Sequence, residues 1–420
     1  MFYQRTIETN LRSISGTFPV LVLTGPRQVG KTTLLQSMAE PGRKYVALDN
    51  PTDRALAKSE PELFLQRYSP PVIIDEVQYA PELFDYIKIR ADAQKNCGDY
   101  WLTGSQTFHL MKNVTESLAG RAGIVRMLGF SNSEIDATGF GPFKVEPKEL
   151  IARLDSAKRL ALPEMFERIY KGSFPRLYEN PGVDRKLFYE SYLETYISRD
   201  VKDLTQVADE LSFLSFINVV AARTATNVNY ETLANETGIS APTAKQWLSI
   251  LVSSGLVALI PPYANNALKR TIKAPRMYFL HTGLCAYLTR MNSPEFLEGS
   301  AMDGAFFETW VVSEIFKSYL NNGERPPLYF YRDQNKKEID LIIHQNNTVN
   351  PVEIKKGATP KDAIKNFSVL KPITEDPSEE DRFSGAAHLK NEIGTGAVVC
   401  LASNVLPIDK KNWYVPAWLI

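Results

Sequence analysis

The residues best suited to chemistry lie in one run, Gly25-Pro26-Arg27-Gln28-Val29-Gly30-Lys31-Thr32. Two glycines five positions apart let main-chain N–H groups curl around an anion, and the lysine and hydroxyl after the second glycine are spaced to reach phosphate oxygens and a divalent cation. The run follows an apolar strand, Val20–Leu23, and opens a helix expected over Thr32–Ala39. A helix N-terminus adds partial positive charge at that point. The ligand this implies is Mg²⁺-ATP, held by Gly25, Pro26, Arg27, Gln28, Val29, Gly30, Lys31, Thr32 and Thr33, with Lys31 on the β- and γ-phosphates and Thr32 on the metal. A second apolar strand, Val72-Ile73-Ile74, ends in Asp75-Glu76. Adjacent carboxylates at a strand end are costly unless a cation faces them. Asp75 is therefore expected to hold Mg²⁺ and Glu76 to polarise an attacking water.

A third strand ends Trp101-Leu102-Thr103-Gly104-Ser105-Gln106. In a parallel sheet its end shares the edge of the phosphate site, so Thr103, Ser105 or Gln106 is expected to sense the γ-phosphate. Arg121 follows Gly120, and spacing leaves it open between an arginine finger, an intramolecular sensor and a surface arginine.

These residues need a scaffold. Short apolar runs at Val20–Leu23, Tyr45–Leu48, Val72–Ile74, Tyr100–Leu102 and Ile124–Leu128 alternate with helical stretches such as Glu82–Lys95. That alternation predicts an α/β unit over 1–130, a parallel sheet with flanking helices. From 131 to 295 the pattern is helical, with helices expected over Glu164–Tyr170, Val183–Ser198 and Leu211–Ala222. Within it, about 211–280, a short helix stopped by Gly238, a helix capped by Ser240 with Pro242 in its first turn, and a strand over Leu256–Ile260 make a winged helix-turn-helix pattern. Lys245 on the second helix and Lys269, Arg270, Lys273 and Arg276 beyond it are its candidate DNA-contacting cations. Trp247, at helical spacing from Leu251, and Tyr189, Tyr192 and Tyr196 on one helix face are read as core. The last unit, 296–420, is expected to combine a helix over Phe306–Leu320 with strands at Leu328–Tyr331, Ile339–Ile343, Pro351–Ile354 and Ala397–Leu401, a helix near Asp362–Leu370, and an acidic loop over Thr374–Arg382.

The chain has 420 residues, more than one ordinary domain, and its Lys+Arg and Asp+Glu counts are both 48. There is thus no global charge drawing it to nucleic acid or an anionic membrane. The three cysteines, Cys97, Cys285 and Cys400, are far apart, which excludes a CxxC zinc site and a disulfide framework and fits a reducing cytoplasm. His109, His281, His344 and His388 have no ligand spacing. The first residues lack an apolar core of a signal peptide, and no apolar run is long enough for a membrane span.

The segments TGPRQVGKTTLL, VIIDEVQ, LTGSQ and LAGRAG, in this order, resemble the AAA+ ATPases of the bacterial and archaeal group that carries an uncharacterised C-terminal domain. Gly172-Ser173-Phe174-Pro175, Tyr196 with Arg199-Asp200, and Lys273–Phe279 leading to Thr282-Gly283-Leu284 extend the resemblance over most of the chain. His281 departs from it, since Asp usually precedes Thr-Gly-Leu. The resemblance implies ATP binding and hydrolysis. It supplies no cellular role.

Asp340 on one strand and Glu353-x-Lys355 on the next resemble the PD-(D/E)xK nuclease fold. Alternation puts Glu353 and Lys355 on one face, and a hairpin brings Asp340 beside Glu353. Asp340, Glu353 and the helical Glu308 would hold Mg²⁺, with Lys355 positioning or deprotonating water or stabilising the developing charge. The function expected is an ATPase acting on DNA. The alternatives are a nucleotide-dependent switch that binds a protein partner, with an inactive nuclease fold, and a plain binding module of a toxin–antitoxin or defence system. A homo-oligomer is compatible with either.

Overall fold

The computed structural model describes residues 3–104, 116–195, 210–263, 274–333, 335–370 and 391–420. Its N-terminal unit is a parallel sheet of β1 (Val20–Thr24), β2 (Lys44–Ala47), β3 (Val72–Asp75), β4 (Tyr100–Gly104) and β5 (Ala122–Arg126), in the order β2-β3-β4-β1-β5. The inner strands β1, β3 and β4 are buried at every residue, as expected of strands covered on both faces. Side-chain alternation divides β1 between two cores. Leu21 and Leu23 face one cluster, while Val20 and Val22 face another with Val46, Phe64, Ile74 and Leu102. Flanking helices include α1 (Glu8–Ser15), α2 (Lys31–Met38), α3 (Pro51–Ser59), α4 (Pro61–Arg67) and α5 (Leu83–Gln94). Asn50 caps α3 by accepting from Thr52 N–H, with Pro51 at its first position.

The middle of the chain is helical, as expected. Helices Leu162–Lys171, Arg185–Thr195 and Glu210–Ala222 are followed by Tyr230–Thr237 and Ala241–Ser253. Gly238 ends the fourth in a left-handed conformation, and Ser240 caps the fifth through Thr243 N–H. A small sheet, order β6-β8-β7, is built from β6 (Thr226–Asn227), β7 (Val257–Ile260) and β8 (Arg276–Phe279). Trp247 is buried against Phe213 and Phe216 at 5.1 and 5.5 Å between ring centroids, so it belongs to the core, as do Tyr189 and Tyr192.

The last unit sets the helix Asp303–Asn321 beside a mixed sheet, β14-β15-β13-β11-β10-β9, with β12 on β11. Its strands are β9 (Leu328–Arg332), β10 (Glu338–Gln345), β11 (Thr348–Ile354), β12 (Glu392–Ile393), β13 (Gly396–Cys400), β14 (Leu406–Pro407) and β15 (Asn412–Pro416). The helix expected near Asp362–Leu370 is a short 3-10 turn over Lys365–Val369. The acidic stretch Thr374–Arg382 lies outside the described residues.

One continuous buried cluster runs through all three parts, from Ile7 and Leu21 through Phe166, Phe216 and Tyr278 to Trp310, Val399 and Trp418. Among the described residues no helix is long and apolar enough to cross a membrane.

Candidate functional site

The loop between β1 and α2 carries the phosphate-binding motif. Gly25 has φ +141°, and a Cβ there would lie 2.0 Å from the Met127 carbonyl oxygen. Only glycine fits this close backbone approach. Gly30, at φ +91°, precedes α2 and offers no side-chain cap, so the helix N-terminus opens onto the loop. Lys31 is buried, and its Nζ donates to the carbonyls of Gly25 and Pro26 at 2.9 and 2.8 Å. Thr32 Oγ1 donates to Asp75 Oδ2 at 2.9 Å, and the Tyr45 hydroxyl donates to the same oxygen at 3.1 Å. Asp75 Oδ1 accepts from Glu76 N–H at 3.1 Å. Burial raises the Asp75 carboxyl above its ordinary range, with the Glu76 charge adding to it and the Thr32 hydrogen bond opposing it.

Glu76 sits in the left-handed region, φ +55° and ψ +44°, which is uncommon outside glycine. This turn swings its side chain off the strand, where Gln78 Nε2 donates to its Oε2. Glu76, Lys31, Thr32, Thr33, Arg27 and Gln28 line one cleft of about 440 Å³, with Thr195 on its far wall. A second cavity of about 410 Å³ shares Gln28, Gly30 and Thr33 and is otherwise walled by Tyr3, Met127, Phe130, Pro175 and Arg176, among others. Arg5 braces that wall. Its guanidinium is buried and donates to Val29 O at 3.0 Å, Leu128 O at 2.8 Å and Glu134 Oε1 at 3.0 Å.

The structure thus brings Gly25, Pro26, Arg27, Gln28, Val29, Gly30, Lys31, Thr32, Thr33, Asp75 and Glu76 to one sheet edge. Thr103, next to last in β4, lies at that edge, buried, its Oγ1 without a partner among the described residues. Ser105 and Gln106 lie outside the described residues. Arg121 does not join the group. Its carbonyl pairs with Val20 N–H at the start of β1, the opposite edge of the sheet, and its guanidinium is bound to Asp92. Four residue steps of strand, about 13 Å, separate that level from the loop, so Arg121 cannot reach a nucleotide in its own subunit. Tyr45, Gln78 and Arg5 are site residues that motif reading missed. Gln78 follows the Asp75-Glu76 pair closely and carried a usable signal, whereas Tyr45 and Arg5 carried none.

The middle unit meets the loop directly. A Cβ on Gly255 would lie 3.2 Å from the Pro26 ring, and Arg126 Nη2 donates to the carbonyls of Ser253 and Val252 at the end of the Ala241–Ser253 helix. Behind it, Gly172 and Gly283 pack backbone to backbone under the Tyr189 hydroxyl. His281 is buried beside them, stacked on Phe174 at 4.6 Å, with Nδ1 3.2 Å from Ser173 Oγ. Burial lowers its pKa to about 3, helped by the nearby Lys317 charge.

A second polar cluster lies in the last unit. The β10–β11 hairpin pairs Leu341 with Val352, which sets Asp340 beside Glu353. Asp340 Oδ2 accepts from Ile354 N–H at 2.9 Å and lies 3.3 Å from Lys355 Nζ, which is 2.7 Å from Glu353 Oε1. Glu308, on the Asp303–Asn321 helix, accepts from the Tyr278 hydroxyl at 2.7 Å. Burial and the Asp340 charge raise the carboxyls of Glu308 and Glu353 to about 7. Arg276, expected on a phosphate-tracking wing, is instead buried here, because β8 lies against that helix and turns the arginine toward the carboxylates. Lys269, Arg270 and Lys273 lie outside the described residues. Among the described residues no group of three or more His, Cys, Asp or Glu is arranged to hold a metal ion.

A parallel sheet ordered β2-β3-β4-β1-β5, with a glycine loop after β1 and a carboxylate at the end of neighbouring-but-one β3, is a P-loop nucleotide-binding fold. Residues 17–136 match the family model described as AAA domain. Residues 162–295 and 303–420 match two models described as domains of unknown function, DUF8612 and DUF4143. The chain is 27% identical over 360 residues to uncharacterized proteins of Mycobacterium tuberculosis and Mycobacterium bovis, covering 85% of this chain and 75% of each relative. Among solved structures, the Walker-type ATPase of Pyrococcus abyssi is similar at 14% identity and TM-score 0.43, over 69% of this chain and 96% of that one. The Thermotoga maritima RuvB Holliday junction branch migration motor is similar at 18% identity and TM-score 0.28, over 61% and 87%. Both structural likenesses are loose.

Proposed function

We propose that this chain binds Mg²⁺-ATP between α2 and β3, hydrolyses it, and couples nucleotide state to an action on DNA through its middle and last units. The observation that carries the reading is the convergence of Lys31, Thr32 and Glu76 on one cleft, with Asp75 hydrogen-bonded to Thr32. A hydroxyl and a carboxylate are hard oxygen donors of the kind Mg²⁺ takes, and Thr32 with Asp75 would hold it. When bound, the ion neutralises charge on the phosphate oxygens. Lys31 exchanges its two carbonyl acceptors for phosphate oxygens. Main-chain N–H groups of the loop and of the α2 N-terminus cradle the remaining anionic oxygens. Glu76, held by Gln78, accepts the proton of the attacking water. The cavity walled by Tyr3, Met127, Phe130 and Pro175, with Gln28, Arg176 and Glu179 as polar lining, is of a size for the base and ribose.

In the middle unit, the capped helix Ala241–Ser253 followed by an antiparallel β7–β8 pair supports a winged-helix reading. In the last unit, the pairing of Asp340 with Glu353 and the Lys355 ammonium between them supports a nuclease-like one.

ATP turnover tests the first claim. Lys31→Ala is expected to lose nucleotide binding, and Glu76→Gln to bind ATP but turn it over about 10²- to 10⁴-fold more slowly. A wild-type protein with no saturable ATP binding ends the reading, and one that binds without turnover ends its hydrolytic part. Wild type and Asp340→Ala are then incubated with plasmid or branched DNA and Mg²⁺. Cleavage abolished by the substitution supports the nuclease. Absence of cleavage by wild type refutes it and favours a nucleotide-driven switch with a protein partner.

A further inference from the structure

We propose that Arg276 is the resident cation of the C-terminal carboxylate cluster, and that a divalent ion enters this cluster only when that arginine leaves it. The proposal rests on reading the cluster as a nuclease-like cation site and concerns how that site is controlled. Arg276 belongs to β8 of the middle unit, yet its guanidinium is embedded in the last unit. Nη1 lies 3.3 Å from Glu308 Oε1 and 3.7 Å from Asp340 Oδ1, and Nη2 lies 3.1 Å from Glu338 Oε2. The ring of Phe330 lies 5.0 Å from its carbon centre, and Nε lies 3.4 Å from Asn227 Oδ1. Tyr278, two residues along the same strand face, donates to the Glu308 oxygen that Arg276 also binds.

Charge explains why the arginine is held. Four carboxylates meet here, Glu308, Glu338, Asp340 and Glu353, against Arg276, Lys355 and Arg332. Without Arg276, two cations would remain against four acids, three of which, Glu308, Asp340 and Glu353, have side chains less than a fifth exposed. Buried carboxylates without a counter-charge are strongly unfavourable. A guanidinium serves several acids through its planar fork. It does so by spreading them around its edge, whereas Mg²⁺ draws oxygens to about 2.0–2.1 Å in an octahedron. One acceptor is left over. Glu353 is 7% exposed, and its Oε2 is buried without a hydrogen-bond partner among the described residues. The cluster is therefore rich in oxygen donors for a cation, and a side chain of the neighbouring unit occupies the place a metal would take. β8 also pairs with β7, which begins just beyond Gly255 at the phosphate loop, so the strand that carries the arginine is built onto an element touching the nucleotide site.

The test is Mn²⁺ titration of the full-length protein without nucleotide, read by the loss of the free-ion electron paramagnetic resonance signal. Wild type, Asp340→Asn, Arg276→Gln and Arg276→Gln/Asp340→Asn are compared. Wild type and Asp340→Asn are expected to bind Mn²⁺ alike. Arg276→Gln is expected to gain one site at least about tenfold tighter than any in wild type, and the second substitution to abolish it. Arg276→Lys, which keeps the charge but not the fork, serves as the second variant should Arg276→Gln fail to fold, and is expected to gain the site partially. A wild-type site lost in Asp340→Asn overturns the proposal, because the metal then needs no vacancy. Failure of the arginine variants to gain a site overturns it too. Neither result depends on ATP turnover or DNA cleavage, so the nuclease reading can fail while the cation exchange stands.

Discussion

His281 should make the wild-type protein acid-sensitive in a window set by its own burial. In the unfolded chain its imidazole titrates near its ordinary value of 6.5, and in the folded protein it stays neutral down to about 3. A group whose folded pKa is depressed holds its stabilising share above the unfolded pKa and loses it as pH falls toward the folded one. Between pH 6.5 and 5 that loss is about 1.5 units, or roughly 2 kcal/mol at 1.36 kcal/mol per unit. Glu308 and Glu353 act in the opposite sense. Their carboxyls are raised from 4.5 to about 7, so their contribution is complete below 4.5 and is lost as pH rises through 7. A wild-type profile alone therefore mixes the two effects. Comparison with His281→Asn separates them, because the carboxylates are common to both proteins. The variant should be less stable at pH 7, having lost the Phe174 stack, and the gap should narrow by about 2 kcal/mol by pH 5, a few degrees in Tm. Thermal melts at half-unit pH intervals measure this. Parallel Tm-versus-pH curves would refute the burial argument.

Other substitutions probe the site's supports. Arg5→Ala removes the cation from a pair whose side chains are 4% and 0% exposed, and should cost about 3–5 kcal/mol, seen as a large drop in Tm. Gly25→Ala forces a Cβ to within 2.0 Å of the Met127 carbonyl; equilibrium binding of a labelled adenine nucleotide should be lost, and unchanged affinity would contradict the loop geometry. Arg121→Ala should leave single-subunit ATP binding unchanged, since Arg121 lies at the far edge of the sheet; any effect on turnover should then grow with protein concentration, as an effect across subunits requires.

What the sequence made legible follows from what periodicity and spacing encode. The five strands and their alternation were readable because β1, β3 and β4 are continuous apolar runs between helices, and Gly25–Thr32 could be assigned because its spacing has one mechanical use. The shared face of Glu353 and Lys355 followed from strand alternation, and the short turn between the two strands brought Asp340 beside Glu353. Contacts between distant segments were not encoded locally. Arg276 resembled a surface cation because its neighbours in sequence are basic, and only the packing of β8 against the Asp303–Asn321 helix reveals the acids around it. Spacing left Arg121 open between a nucleotide contact and a surface arginine, because the edge of the sheet it occupies depends on strand direction and not on its motif position. β14 and β15 were missed because Leu406–Pro407 and Asn412–Pro416 are short and mixed in polarity.

The unbroken apolar interior has a practical corollary for anyone cutting this chain. The matched segments 17–136, 162–295 and 303–420 suggest three pieces to express separately. Severing them would bare Leu21 and Leu23 on one fragment, Phe216 and Tyr278 on another, and Trp310 and Trp418 on the third, all of them dry in the intact molecule. Excised pieces should therefore stick to one another or precipitate, and point substitutions in the uncut chain are the sounder way to apportion its activities.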